Sequence, residues 1–94
     1  MKQQRIWKWE LEITDLQTIA VPRDPSFLSV QFQSGTLCLW ALVDPDEPKR
    51  KYAIRIIGTG NPISDPPLSA NRFIGTVQQF NGELVWHVFW EATI

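Results

Sequence analysis

The chain has 94 residues, 44% of them hydrophobic, and a formal net charge of -1 at pH 7. This length predicts one domain, residues 1–94, whose five Trp and five Phe residues can fill a core. The near-neutral charge excludes the basic surface of a duplex nucleic-acid binder. No run approaches the ~20 apolar residues that span a bilayer, so we expect no membrane partner. Cys38 is the single cysteine, which excludes an internal disulfide and is typical of a cytoplasmic protein.

Alternation of apolar and charged residues predicts a first strand at residues 5–13. Its apolar face carries Trp7, Trp9, Leu11 and Ile13. A short strand at residues 17–21 follows, and Pro22 ends it because proline cannot donate to a ladder of backbone hydrogen bonds. Each strand is expected to bury one face and to expose the other.

A tight turn at Ser34-Gly35 predicts the first hairpin, between strands at residues 27–33 and 36–43. A two-residue turn pairs the core-side residues as Phe32 with Leu37, Val30 with Leu39 and Leu28 with Ala41. The opposite face then carries Ser29, Gln31, Cys38 and Trp40. A lone indole among small and polar side chains is typical of a surface that a partner covers. We therefore interpret Trp40, Gln31 and Ser29 as a partner interface.

The middle of the chain has fewer strand signals. Residues 44–51 are predicted to form a polar loop, and residues 52–57 to form the next strand. Residues 58–71 contain three prolines and two glycines without any periodicity. This composition predicts an irregular loop, which is long for a compact domain.

Asn81-Gly82 predicts the second hairpin, because both residues tolerate the positive φ that a type I′ turn requires. The turn pairs Gln79 with Leu84, Val77 with Trp86, Gly75 with Val88 and Phe73 with Trp90. Gly75 would leave room for an indole of the neighbouring strand. About seven short strands with two tight hairpins indicate an all-β fold, either a small antiparallel β-sandwich or a barrel.

Residues that support catalysis are few. Nucleophilic catalysis needs a nucleophile, a base and a group that orients the base, and the chain offers one histidine, His87, and one cysteine, Cys38. Both lie mid-strand, where packing is the ordinary role of such side chains. One His and one Cys cannot complete a zinc site. We therefore expect no enzyme activity, no metal and no cofactor.

One glycine-rich turn is a candidate anion site. The turn consists of Gly58, Thr59, Gly60 and Asn61, whose backbone amides could form a nest for a phosphate group. Arg55 and Arg72 bracket the turn in sequence and would add charge-assisted hydrogen bonds. The alternative interpretation is an ordinary turn that leaves the sheet, since it has neither the lysine of a P-loop nor a following helix.

A set of short segments runs through the chain: Ile6-Trp7-Lys8, Ile13-Thr14-Asp15-Leu16-Gln17-Thr18-Ile19, Leu28-Ser29-Val30-Gln31, Cys38-Leu39-Trp40-Ala41-Leu42-Val43-Asp44-Pro45, Gly58-Thr59-Gly60-Asn61-Pro62-Ile63, Phe73-Ile74-Gly75-Thr76-Val77 and Trp86-His87-Val88-Phe89. Over almost the whole chain, this set resembles a family of short β-proteins encoded by bacteriophages. None of the segments is a catalytic signature, so the resemblance implies an origin rather than an activity. The chain departs from the family pattern at residues 64–71 and 90–94.

The resemblance and the missing catalytic groups lead to three hypotheses. The first is a non-catalytic phage accessory protein that binds a host component, such as a defence protein, in the host cytoplasm through the Trp40 surface or a sheet edge. The second is a sponge that sequesters a host signalling nucleotide at the turn of residues 58–61, with Arg55 or Arg72 and an aromatic platform. The third is a structural phage component that assembles through its sheet edges. We also expect a homo-oligomer, because Trp40 and unpaired edges favour self-association.

Overall fold

The computed structural model describes residues 3–93, so Met1, Lys2 and Ile94 of the predicted domain lie outside the described part. Within it seven strands form: β1 (Arg5–Leu11), β2 (Leu16–Pro22), β3 (Ser26–Gln33), β4 (Thr36–Val43), β5 (Lys49–Gly58), β6 (Phe73–Gln79) and β7 (Leu84–Ala92). A short 3₁₀ turn at Ala70–Arg72 precedes β6.

The strands form two sheets that pack face to face. β1, β4 and β3 make a three-stranded sheet with β4 in its centre, and β2, β5, β7 and β6 make a four-stranded sheet in that order. Neighbouring strands are antiparallel in both sheets. The all-β sandwich prediction is confirmed. The barrel alternative is wrong, because the two sheets do not close into one.

The core lies between the sheets and is filled by one face of each strand. The larger buried cluster contains Leu11, Val30, Leu37, Leu39, Ile54, Ile56, Val77 and Val88, and the smaller contains Val21, Ala41, Val43 and Tyr52. Trp7 and Trp9 pack against the smaller cluster, and Trp86 packs against the larger one. The alternation of residues along β1 and β7 predicts that these three indoles face the core, since successive strand residues point to opposite faces.

Gly75 is required where β3 of one sheet meets β6 of the other. A Cβ at this position would lie 2.9 Å from Cγ2 of Val30. Carbon atoms pack without repulsion at about 3.5 to 4.0 Å, so any side chain here would push the sheets apart. The expectation that Gly75 makes room for an indole is wrong, because the neighbour is Val30.

Both hairpin turns form at the predicted residues. Ser34 and Gly35 have φ angles of 51° and 83°, and Asn81 and Gly82 have φ angles of 56° and 87°. Positive φ at both central positions is the type I′ pattern, whose twist matches that of the flanking strands. In the second hairpin Phe80, just before these positions, also has a positive φ, of 54°. The predicted pairs next to the turns are confirmed, namely Phe32 with Leu37, Val30 with Leu39, Gln79 with Leu84 and Val77 with Trp86.

The first hairpin contains a bulge at Leu28. Phe27, rather than Leu28, pairs with Ala41, and the register shifts between Phe27 and Ser29. A bulge places two residues of one strand opposite a single residue of the other. Leu28 is therefore 47% exposed instead of being a core residue, and the predicted pair of Leu28 with Ala41 is wrong.

The second hairpin has a similar irregularity at Ile74. Phe73 pairs with Phe89, not with the predicted Trp90, and the register shifts between Phe73 and Gly75. The rings of Phe73 and Phe89 contact each other edge to face, with centroids 5.4 Å apart. The bulge thus moves Phe73 from the predicted core face to the outer face of the four-stranded sheet.

Strand β5 begins at Lys49 rather than at Tyr52, because its first residues pair with the end of β2. Val21 lies opposite Arg50, and Pro22 lies opposite Lys49. The prediction of a polar loop for residues 49–51 is therefore wrong. Since side chains alternate along a strand, Arg50 lies on the same side of β5 as the buried Tyr52.

Candidate functional site

The predicted partner interface lies on the outer face of the three-stranded sheet. Trp40 is on β4, between Lys8 of β1 and Ser29 of β3. On the same face Ile6 lies opposite Leu42, and Ile6 is 61% exposed. We call the set Ile6, Ser29, Gln31, Trp40 and Leu42 the Trp40 face. Sequence reasoning missed Ile6 and Leu42, although alternation along β1 and β4 could have placed both on this side.

Cys38 lies on this side of the sheet but is closed to solvent. It is 1% exposed, and its neighbours across the ladder are Glu10 and Gln31. The Lys8 Nζ donates a hydrogen bond to the Gln33 Oε1 at 2.8 Å, so the lysine side chain reaches from β1 to β3 across β4. The expected packing role of Cys38 is confirmed.

The turn predicted to bind an anion forms at the end of β5, and part of its backbone is already bonded. The Asn61 N–H donates to the Gly58 carbonyl at 3.0 Å, and the Thr59 N–H donates to the Val85 carbonyl at 3.2 Å. Gly60 supplies a positive φ of 84°, which a glycine adopts without strain. Two of the four backbone amides are thus already hydrogen-bonded, one to β7 and one within the turn, as expected for an ordinary turn. Anion binding at this turn stays a prediction.

Arg55, predicted to assist that turn, lies on the outer face of the four-stranded sheet and is only 6% exposed. Its Nη1 donates to the Pro66 carbonyl at 2.6 Å and to Glu91 Oε1 at 3.2 Å. Its Nη2 donates to the Ser64 carbonyl at 2.7 Å. These bonds attach the loop after β5 to the sheet beneath it. Arg55 is therefore a loop anchor whose charge is paired with Glu91.

His87 lies on the same outer face and links the glycine-rich turn to β6. Its Nε2 is 2.6 Å from the Thr59 Oγ1, and its Nδ1 is 2.9 Å from the Thr76 Oγ1. Both ring nitrogens thus have a hydroxyl partner, which fixes the imidazole between the turn and the sheet. The prediction that His87 is a partly buried histidine bonded to a neighbouring side chain is confirmed.

Arg72 is not close to the turn. Its Cζ lies 4.4 Å from the centroid of the Trp90 ring. Gly58 at the turn pairs with Trp86, and the four residue steps from Trp86 to Trp90 span ~13 Å along a strand. The six residues predicted as one ligand site therefore separate into three groups: the four residues of the turn, Arg55 with the loop carbonyls of Ser64 and Pro66, and Arg72 with Trp90.

The described part of the chain contains no metal-binding constellation. Among residues 3–93, no three His, Cys, Asp or Glu side chains are placed so that they could hold a metal ion. A structural zinc or calcium site needs at least that many protein ligands. Over the same range, no helix has the length and apolar character needed to cross a membrane.

The chain belongs to a family described as a domain of unknown function, DUF7352, whose model matches residues 2–93. The match includes every strand of both sheets. No curated protein and no solved structure shows significant similarity to the chain. Since the family description gives no activity, the function must be argued from the surfaces of this chain.

Proposed function

We propose that the protein is a non-catalytic accessory protein of a bacteriophage. It binds a protein of the host cytoplasm, such as a defence protein, through the Trp40 face. The observation that carries the proposal is an apolar cluster on the outer face of one sheet: Ile6 is 61% exposed and lies opposite the half-buried Leu42, next to the half-buried Trp40. The phage origin rests on the resemblance of the segments described above.

The composition of the Trp40 face supports a protein partner. Interfaces combine an apolar centre with a polar margin, and Trp is enriched among the residues that dominate binding energy. Here Ile6, Trp40 and Leu42 form the apolar part, and Ser29 and Gln31 lie beside them on the neighbouring strand. Polar groups at the margin would hydrogen-bond a partner or water, whereas burial of the apolar part would supply most of the affinity.

The test is to identify and reconstitute the complex. The tagged protein is purified from the bacterial host, co-purifying proteins are identified by mass spectrometry, and the strongest partner is then purified so that its Kd can be measured. Ile6→Asp and Trp40→Ser should each weaken the Kd at least tenfold, because loss of a central anchor costs ~2 kcal/mol. The matched control is Leu16→Asp, since Leu16 is also 61% exposed but lies on the four-stranded sheet.

Two results would overturn the proposal. One is a partner whose affinity is unchanged by Ile6→Asp and by Trp40→Ser. The other is sedimentation showing that the face joins two copies of this chain, with Ile6→Asp dissociating a homo-oligomer and no host protein bound. The second result would instead support the self-association that the sequence predicts.

A second candidate function is sequestration of a small host nucleotide, and one observation favours it. Arg72 lies over an indole, at 4.4 Å from the ring centroid of Trp90. A cation held on an aromatic platform offers both phosphate recognition and stacking. This candidate does not use the Trp40 face, so both functions can be tested separately.

A further inference from the structure

A cavity of about 280 Å³ opens at the end of the sandwich where β5 begins and β7 ends. Arg50 and Tyr52 of β5, Trp90 of β7, Arg72 of the 3₁₀ turn and Asp24 of the β2–β3 connection all contribute to its lining. We call it the Arg72 pocket. Its volume is close to the lower end of the range typical of small-molecule sites, so it fits a small ligand.

Two aromatic rings line the pocket, those of Tyr52 and Trp90, and the ring of Phe27 packs against both of them. The ring centroids of Phe27 and Trp90 are 5.1 Å apart, those of Phe27 and Tyr52 are 5.8 Å apart, and those of Tyr52 and Trp90 are 6.1 Å apart. The Arg72 guanidinium lies over the Trp90 ring at 4.4 Å. Stacking on an indole fixes the plane of a guanidinium without neutralising its charge, so the cation is already oriented.

The pocket carries positive charge that the protein leaves without carboxylate partners. Arg50 and Arg72 form no ion pair with any carboxylate in the described range 3–93. Arg50 makes one long hydrogen bond, from its Nη2 to the Thr93 carbonyl at 3.4 Å. Arg55, in contrast, donates hydrogen bonds to two backbone carbonyls and to the Glu91 carboxylate. The two arginines of the pocket therefore keep most of their donors for a ligand.

Tyr52 and Asp24 add two further polar groups. The Tyr52 hydroxyl accepts the Asp24 N–H at 3.2 Å, and it keeps its own hydrogen for donation to an acceptor. The Asp24 side chain is 84% exposed, so its carboxylate lies at the rim. A carboxylate there repels additional negative charge but accepts hydrogen bonds from hydroxyl groups.

The geometry points to a binding site for a small phosphate monoester that carries hydroxyl groups, either a nucleoside monophosphate or a sugar phosphate. Two guanidinium groups match the oxygens of one phosphate, because their N–H donors form paired, charge-assisted bonds. The Tyr52 hydroxyl adds a third donor, and Asp24 at the rim favours the hydroxyl-bearing part. This site uses no residue of the Trp40 face, so it goes beyond partner binding. It gives the sequestration candidate a location other than the turn of residues 58–61.

Isothermal titration calorimetry of the whole protein tests the site, with AMP, glucose 6-phosphate, adenosine and inorganic phosphate as probes. We expect at least one of the two monoesters to bind. Adenosine and inorganic phosphate should bind at least tenfold more weakly, because each provides only one part of the ligand. Affinity for the bound monoester should also fall as salt is raised, since exposed charges are screened. The two monoesters distinguish a nucleotide from a sugar phosphate as the source of the phosphate.

Substitutions assign the binding to the pocket. Arg72→Met and Arg50→Met should each weaken monoester binding at least tenfold, and Arg72→Lys should weaken it less, because it keeps the charge but loses the planar fork. The matched control is Lys51→Met, which removes one charge from the next residue of β5 on the opposite side of the strand. Circular dichroism of each variant checks that the sandwich still forms.

The proposal is overturned if neither monoester binds at millimolar concentration, or if folded Arg72→Met and Arg50→Met bind as tightly as the unmodified protein. Equal affinity for inorganic phosphate would also overturn it, because that result shows an unspecific anion site. Loss of monoester binding in Trp40→Ser would show that the monoester binds at the Trp40 face and not in the Arg72 pocket. Partner binding at the Trp40 face should be unchanged in Arg72→Met, so failure of one proposal leaves the other testable.

Discussion

The outer faces of the two sheets differ in what covers them. On the four-stranded sheet, the loop that follows β5 returns over the surface and is held there by Arg55 through the carbonyls of Ser64 and Pro66. On the three-stranded sheet, Ile6 is open to solvent beside Trp40 and Leu42. The first face is therefore closed by the protein's own chain, and the second is open.

This difference shows where binding free energy is available. A partner that displaced the loop would have to replace the hydrogen bonds of a buried guanidinium, and a buried charge without partners is costly. A partner on the Trp40 face would have no loop to displace and would gain ~25 cal/mol for each Å² of apolar surface that it buries. The open face is thus the better site for a protein, although Leu16, Ile63 and Phe73 also stay exposed on the side that the loop covers.

Replacement of Arg55, which holds the loop over the four-stranded sheet, should give the largest loss of stability. Arg55→Met leaves the Glu91 carboxylate and two loop carbonyls without their donor. The Arg55 side chain is 7% exposed and that of Glu91 is 30% exposed, so breaking this largely buried pair should cost up to ~3 kcal/mol. Urea denaturation measures the loss, and limited proteolysis should show new cleavage in residues 59–69. The control is Arg23→Met, which removes an ion pair to Glu47 whose arginine side chain is 46% exposed and should cost less than ~1 kcal/mol. Equal stability of the two variants would show that Arg55 does not hold the loop.

The turn of the second hairpin should give the next largest effect. Gly82→Val places a β-branched residue at a φ of 87°, and such a conformation costs ~1–3 kcal/mol for a residue with a Cβ. Its Cβ would also lie 3.2 Å from the Gln78 Oε1. Gly82→Asn is the control, because asparagine tolerates positive φ and should lose less stability. If thermal denaturation gives the two variants the same Tm, the strain argument is wrong.

A smaller effect is expected from the hydrogen bond between the turn and His87. Thr59→Val keeps the shape of the side chain but removes the hydroxyl that lies 2.6 Å from the His87 Nε2. The loss should be ~1 kcal/mol. The backbone amide of residue 59 donates to the Val85 carbonyl. Its hydrogen exchange should be faster in the variant, because the turn is held less tightly. Thr18→Val on the exposed side of β2 is the control, and exchange at residue 59 should be unchanged in that variant.

The parts of the fold that depend on neighbouring residues could be predicted from sequence. Ser34-Gly35 and Asn81-Gly82 form the expected turns because the required φ angles are a property of those residues. The bulges at Leu28 and Ile74 could not be predicted from the sequence. The alternating pattern of each strand is compatible both with a regular register and with a register shifted by one residue. A bulge depends on how the two sheets fit together, which no local pattern records.

The candidate sites were also predictable only where they depend on neighbouring residues of one hairpin. Trp40, Ser29 and Gln31 share one sheet, so alternation brought them together correctly. Arg72 and Arg55 were joined to one turn only because they are near it in sequence. In the structure Arg55 pairs with Phe89 and Arg72 lies over Trp90, so both are at the end of β7 away from the turn. Arg50 was left out of the predicted site because it was placed with Lys49 and Lys51 in a polar loop, whereas pairing with β2 makes these residues a strand.

The smallest effect on stability, and the sharpest test of the open face, should come from Ile6→Thr. Threonine keeps the β-branched shape that strands favour, and a side chain that is 61% exposed contributes little to the core, so the free energy of unfolding should change by less than ~0.5 kcal/mol. Leu16→Thr, at the same exposure on the closed sheet, should be equally harmless in urea denaturation. The two variants should differ only in partner binding, where Ile6→Thr weakens the Kd and Leu16→Thr does not. If both leave the Kd unchanged, the exposed apolar residues of the Trp40 face are not used in binding, and the open face has no more function than the closed one.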